Sequence, residues 1–325
     1  MSVRGAATGR RLPALPRYRP RVRNGLLIFA ALAGTLILCL AVPDFLQTRN
    51  ILNVLSQLSM LGFMAIGMTY VMVAGGIDLS MYTVVSAASV VGASAMVAGY
   101  PSVVGCVLML LVGTCFGAIN GVAIALGRMI PFIVTLSTMV LAQGFAVWYT
   151  QAQSISGLPD DYVDGIAGKL FGLVPIPAVI ILLVALALGI VLSKTQYGRW
   201  LYLIGNNELA AEISGVPVRA VKVSVYVMTG VLAGVTAIVL TAVVGTATTA
   251  MVRDERLMDV IATAVIGGAS LRGGSGSVLG TMCGLLFLTV LGNSFNLLGV
   301  SPFFAMMIKG VVLVIAIGLD VLRAR

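Results

Sequence analysis

Seven runs without a single charged residue dominate this chain: 24–43, 50–77, 79–127, 129–159, 170–193, 223–252 and 273–308, the longest of 49 residues. A bilayer core needs about 20 consecutive apolar residues for one helical crossing. The 49-residue run therefore holds two crossings, with Gly99-Tyr100-Pro101-Ser102 as the turn between them. Charged residues make up 10% of the chain and apolar types 59%, against about 25% charged in soluble domains. A soluble globular enzyme is excluded. The pattern predicts an all-α, polytopic membrane helix bundle of about ten transmembrane helices. We place them near 25–43, 51–74, 80–98, 103–125, 131–150, 173–193, 222–244, 258–271, 276–293 and 303–321.

Two of these segments are imperfect. After Asp259 only 12 uncharged residues precede Arg272, and Lys309 interrupts the last segment. A stretch that short is either a tilted, broken or half helix lining a substrate path, or a short span packed inside the bundle. The role of Lys309 stays open.

Charge placement gives the orientation. Seven arginines (Arg4, Arg10, Arg11, Arg17, Arg19, Arg21, Arg23) precede residue 24 with no acid among them, and Pro13, Pro16 and Pro20 disfavour a regular helix. Residues 1–24 read as a basic cytoplasmic tail beside anionic lipid rather than a nucleic-acid arm. The first apolar run exceeds a typical signal-peptide core and lacks a small-x-small cleavage site, so it reads as a retained first span. Residues 25–325 then form one transmembrane domain. Ten crossings from an inside start put both termini in the cytoplasm. Fifteen basic residues then lie inside and four outside (Arg49, Lys169, Arg253, Arg256), as the positive-inside rule requires. The 151–172 loop, with Asp160, Asp161 and Asp164, falls outside, and the 194–221 loop inside.

Several chemistries are absent. The chain has no histidine, which removes Ser-His-Asp catalysis, His-ligated metals and imidazole proton shuttles. Cys39, Cys106, Cys115 and Cys283 all lie in apolar runs and read as buried small hydrophobes, not a disulfide framework. No G-x-x-x-x-G-K-[ST] phosphate loop occurs, so no ATP site belongs to this chain. Gly273-Gly274-Ser275-Gly276 matches the G-x-S-G of intramembrane serine proteases, which need a histidine base that is missing here. No cofactor or metal is expected.

What remains is polar punctuation in an apolar chain. Asp78, in Gly75-Gly76-Ile77-Asp78-Leu79-Ser80, is the only acid between Asp44 and Asp160. An acid there is either a functional polar contact or a cap on the next helix. A second glycine-rich stretch, 267–277, shares its Gly-Gly-x-x-Leu spacing and hints at an internal repeat. Gly113, Gly117 and Gly121, and Gly280 with Gly284, have the four-residue spacing of close helix packing. Asn120, Thr135, Gln143, Asn293 and Asn296 sit in or beside spans. With Asp78 they are candidates for a substrate pathway, or else for interhelical hydrogen bonds.

The 194–221 loop carries Asn207-Glu208-Leu209-Ala210-Ala211-Glu212-Ile213-Ser214-Gly215-Val216-Pro217. Asn207 suits an N-cap, Glu208 the positive end of the helix dipole, and Gly215 the C′ position, with Pro217 blocking continuation. This predicts a two-turn helix over 208–214. Glu208 and Glu212 share one face, and Ala210 and Ala211 leave room for close approach. The segment is a docking knob for a partner protein or an ordinary capped connector.

These motifs, in order, resemble the permease subunits of ribose-type ABC sugar importers. The resemblance rests on Gly75 to Ser80, Asn120-Gly121 followed by Ile130-Pro131-Phe132-Ile133-Val134-Thr135-Leu136, and Tyr197-Gly198-Arg199. It continues through Gly205 to Ala211 with Ser214-Gly215-Val216, Gly267-Gly268 with Gly273-Gly274, Asn296 to Val300, and Lys309-Gly310. It runs from about residue 45 to the end and leaves out the arginine-rich tail. At one place the chain departs from it: similar sequences continue the aspartate motif with Ser-Val-Gly, where this chain has Ser80-Met81-Tyr82.

The resemblance implies a subunit of the bacterial cytoplasmic membrane working as a pair, with a second copy or a paralogous permease. A separate ABC ATPase would drive it and an extracytoplasmic sugar-binding protein would deliver substrate. It also implies that 206–215 is the coupling loop, with Asn207, Glu208, Ala211, Glu212 and Gly215 meeting the ATPase. Autoinducer-like molecules, nucleosides or branched-chain amino acids are alternative cargoes. An ion-coupled secondary transporter is the rival class, for which Asp78 is the one strong buried acid. A membrane enzyme lacks any nucleophile–base pair.

Overall fold

The computed structural model describes residues 25–249 and 254–323. The basic tail and Arg253 lie outside the described residues. In chain order the helices are α1 (Gly25–Ala41), α2 (Thr48–Val73), α3 (Met81–Val97), α4 (Ser102–Ala125), α5 (Pro131–Thr150), α6 (Asp160–Ala167), α7 (Ile176–Lys194), α8 (Gln196–Asn206), α9 (Glu208–Ile213), α10 (Val218–Val244), α11 (Asp254–Ile266), α12 (Val278–Leu297) and α13 (Pro302–Arg323). Between α6 and α7 the two-residue strands β1 (Lys169–Leu170) and β2 (Val174–Pro175) pair antiparallel, Lys169 opposite Pro175.

A helix stands at each of the ten expected positions and at 208–213. Six of them, α2, α4, α5, α7, α10 and α12, are long and apolar enough to cross a membrane, and α1, α3 and α13 are apolar but shorter. The helix expected at 258–271 is α11, ending five residues early. Glycines stop it: Gly268 turns at φ +90°, and Gly268 and Ala269 N–H close back onto the Val265 and Ala264 carbonyls. Its 13 residues rise about 20 Å, well short of a hydrocarbon core of about 30 Å.

The centre is built from α2, α3 and α10. Every residue from Phe63 to Val73 is buried, as are most of α3 and the inner face of α10. Apolar side chains face outward around the perimeter, among them Phe29 and Leu40 of α1, Leu141 and Trp148 of α5, Leu182 and Leu186 of α7, and Phe303 and Val314 of α13. Such a surface is tolerable only in lipid. The expected small-residue seam joins α4 to α10. A side-chain carbon at Gly113 or Gly117 would run into the Gly230 or Tyr226 carbonyl of α10, so the two backbones touch. Gly280 and Gly284 of α12 serve likewise against Gly267 and the Thr263 carbonyl of α11.

Loop contacts define two ends of the bundle. At one, Ser102 Oγ donates to Asp161 Oδ2 at 2.8 Å, Tyr162 Oη donates to the Ile238 carbonyl, and Ile155 bridges Ala247. At the other, the turn after α2, the end of α8 and the 267–277 segment come together. All four cysteines are free. Cys115 is exposed on α4, not buried as expected, and the other three are half-buried.

Candidate functional site

Asp78 sits in the break between α2 and α3, only 2% exposed. Its Oδ1 accepts from the Ser80 N–H at 2.9 Å and from Ser80 Oγ at 2.6 Å, and its Oδ2 from Thr229 Oγ1 of α10 at 3.2 Å. Asn120 of α4 donates from Nδ2 to Ser80 Oγ at 2.9 Å, and Thr138 of α5 donates to Asn120 Oδ1 at 2.6 Å. A polar knot thus joins the α2–α3 break to α4, α5 and α10. Burying a carboxylate costs several kcal/mol unless hydrogen bonds compensate it. Here three do, two of them from Ser80 at the N-cap position of α3. The knot satisfies its own members and, in this conformation, leaves little for a passing solute.

The six pathway candidates occupy separate places. Asp78 and Asn120 meet in the knot. Thr135, one turn from Thr138, donates to the Pro131 carbonyl of its own helix. Gln143 is half-buried on α5, and its Oε1 has no hydrogen-bond partner. Asn293 of α12 pairs reciprocally with Asn50 of α2, both bonds 2.9 Å. Asn296 is exposed near the end of α12.

The 194–221 segment is more structured than the sequence suggested, because α8 precedes the expected short helix. Thr195 caps α8, its Oγ1 accepting from Gly198 N–H, and Asn207 caps α9, its Oδ1 accepting from Ala210 N–H at 2.9 Å. Gly215 ends α9 at φ +81°, with Gly215 and Val216 N–H closing onto the Glu212 and Ala211 carbonyls. Tyr197 Oη pairs with Ser224 Oγ at 2.8 Å. Burial raises the Tyr197 phenol from its ordinary value, so this link stays neutral.

On α9, Ala211 turns inward at 2% exposure, while Glu208 and Glu212 face out. Glu208 is ion-paired with Lys222 at 2.6 Å. Leu209 and Ile213, four apart, stand 67% and 80% exposed. Sequence reading passed over this apolar ridge. The signal was an i, i+4 apolar pair on a short helix otherwise lined with glutamate.

Both glycine-rich turns reach this elbow. Gly274 N–H donates to the Val73 carbonyl at 3.0 Å, and Tyr202 Oη of α8 donates to the Gly276 carbonyl at 2.7 Å. A side-chain carbon at Gly273 would lie 2.8 Å from Gly75 Cα, and one at Gly205 would strike the Val73 carbonyl. Three stretches far apart in sequence meet backbone to backbone, one residue before Asn206-Asn207 and three residues before Asp78. Their contact joins α9 to the break that holds the knot.

The fold and this surface define a multi-pass helical membrane protein with a capped helix displayed at one end of the bundle. The chain belongs to the family described as the permease component of branched-chain amino acid transport systems, whose match covers residues 50–317. It is 40% identical over 286 residues to the ribose import permease protein RbsC of Bacillus subtilis, covering 88% of each chain. The RbsC protein of Escherichia coli is 36% identical over 300 residues, 91% of each chain. The D-allose transport system permease protein AlsC of Escherichia coli is 31% identical over 302 residues, 91% of this chain and 89% of that one. No solved structure matches the chain.

Proposed function

We propose that this chain is the transmembrane permease subunit of an ATP-driven ABC importer that moves a sugar across the bacterial inner membrane. Likeness to ribose and allose permeases over nearly the whole chain supports a sugar over the amino acids of the family description. The observation that carries the ATP-driven part is α9: rigidly capped, presenting Leu209 and Ile213 outward, and tied through Gly205 to both glycine turns. A separate ATPase docks there and an extracytoplasmic binding protein delivers the sugar. The chain hydrolyses nothing itself.

In this reading ten helices cross the membrane and both termini are cytoplasmic. Residues 1–24 form a basic tail at the lipid surface, 25–325 the permease domain, and 194–221 the coupling loop. A second copy or a paralogous permease completes the pore. Polar groups at Asp78, Asn120, Thr135, Gln143, Asn293 and Asn296 become available to substrate as the helices rearrange. The test is purification of the tagged chain from its native membrane, with uptake of labelled ribose and leucine. A co-purifying ATPase and ATP-dependent ribose uptake support the reading. Leucine uptake in its place moves the cargo to amino acids, and uptake driven by an ion gradient without ATPase overturns the class.

A further inference from the structure

Tyr82 and Lys309, whose roles the sequence left open, come to one place on α11. Tyr82 opens α3 at 2% exposure, and its hydroxyl oxygen accepts from Arg256 Nη1 of α11 at 3.3 Å. One turn along α11, Asp259 Oδ2 accepts from Lys309 Nζ of α13 at 2.8 Å. Lys309 lies seven residues into α13, about 10 Å from its first residue, beside Gly292 of α12, where a side-chain carbon would lie 3.9 Å from Nζ. Four chemically different groups from α3, α11 and α13 therefore face one spot in an apolar bundle.

The spot is partly open. The Asp259 side chain is 16% exposed and that of Lys309 28%. The Lys309 bond occupies Asp259 Oδ2, and among the described residues nothing donates to Oδ1. Arg256 gives one N–H to Tyr82 and has four further donors. Buried hydroxyls continue the same helix faces: Ser89 lies seven residues beyond Tyr82 and Thr263 seven beyond Arg256, and neither hydroxyl has a hydrogen-bond partner among the described residues. An ion pair needed only to join two helices would not require an arginine, a tyrosine hydroxyl and unpaired hydroxyls around it, because apolar packing joins helices at least as well.

We infer that Tyr82, Arg256, Asp259 and Lys309 form a transient binding site for an uncharged polyhydroxyl substrate within the bundle. A sugar hydroxyl both donates and accepts. The Asp259 carboxylate accepts a hydrogen bond from the hydroxyl, while Arg256 and Lys309 donate to its oxygen through charge-assisted bonds. The inference rests on the sugar-importer reading and adds to it the place where the cargo is held. The site is separate from the knot at Asp78, whose bonds are all internal.

The test uses vesicles carrying the complete complex with its ATPase and binding protein, and reads labelled ribose uptake beside ATP hydrolysis. The variants are Tyr82→Phe, Arg256→Gln and the exchange Asp259→Lys with Lys309→Asp. Each removes or misplaces a charge-assisted contact, so we expect ribose uptake to fall about tenfold with hydrolysis retained. Wild-type uptake in all three overturns the site, as does a parallel fall of uptake and hydrolysis, which marks a structural role. An exchange variant that fails to reach the membrane leaves Tyr82→Phe and Arg256→Gln to decide on the same two rates. If the wild-type complex moves no sugar, the importer reading fails. If it moves ribose and the variants do too, only the site fails.

Discussion

Asp78 keeps its carboxylate buried because Ser80 and Thr229 donate to it, while Asn120 and Thr138 hold Ser80 in position. The isolated acid was visible in the sequence, since nothing else charged stands near it. Its partners were not, because Asn120 and Thr229 lie 40 or more residues away and are ordinary span residues one at a time. Tyr82 shows the same limit, its partner Arg256 being 174 positions distant. The knot makes a definite prediction. Asn120→Ala removes a donor to Ser80, whose hydroxyl keeps Asp78 as its acceptor, and removes the acceptor of Thr138, leaving one buried hydroxyl unsatisfied at about 1–3 kcal/mol. The variant should unfold in detergent at a clearly lower temperature than the wild type. An unchanged unfolding midpoint would mean that the knot contributes no stability.

Among the elements, apolar runs located ten helices to within a few residues, because a chain that crosses a bilayer is apolar along its helices. The same reasoning missed α6 and α8, which are short and amphipathic and belong to surfaces where no run of apolar residues is required. Pro159 followed by Asp160 and Asp161, and Thr195 as a cap, were the available start signals. The end of α11 was misplaced because the uncharged run continues through glycines that cannot extend the helix.

Helix α9 gives two predictions. Gly215→Val would place a β-branched residue at φ +81°, which is sterically unfavourable. It should weaken ATPase association or uncouple hydrolysis from transport while the protein still reaches the membrane; Asn207→Ala should act more mildly, costing about 1 kcal/mol of helix stability. Leu209→Asp with Ile213→Asp alters only exposed side chains, so insertion and detergent stability should match wild type while the ATPase no longer co-purifies. Wild-type ATPase association, hydrolysis and transport in both the Gly215 and the ridge variants would reduce α9 to a connector. At the α4–α10 seam, Gly117→Leu should lower the yield of folded protein sharply, since backbone stands where the side chain would go. A wild-type yield would show that the seam can open.

For the molecule as a whole, the structure separates two ends of the bundle, and the charge pattern of the sequence assigns a side to each. Loop contacts place the 99–102, 155–162 and 247 segments at one end, and Val73, Gly205 and Gly274 at the other. The first end carries Asp160, Asp161 and Asp164. The second adjoins the α7–α10 connection with Lys194, Arg199, Arg219 and Lys222. Basic residues are retained on the cytoplasmic side during insertion, so the α9 end should face the cytoplasm and the α6 end the exterior. This agrees with an ATPase docking on α9, because ATP is cytoplasmic. The measurement is cysteine labelling in intact cells and in inverted vesicles, after the four native cysteines are replaced, Cys115 included because it is exposed. A cysteine at Asp160 should react with an impermeant reagent from outside, and one at Ser193 only in inverted vesicles. Reaction of both from the same side would break the alternation of crossings between α5 and α7 and, with it, the ten-span arrangement.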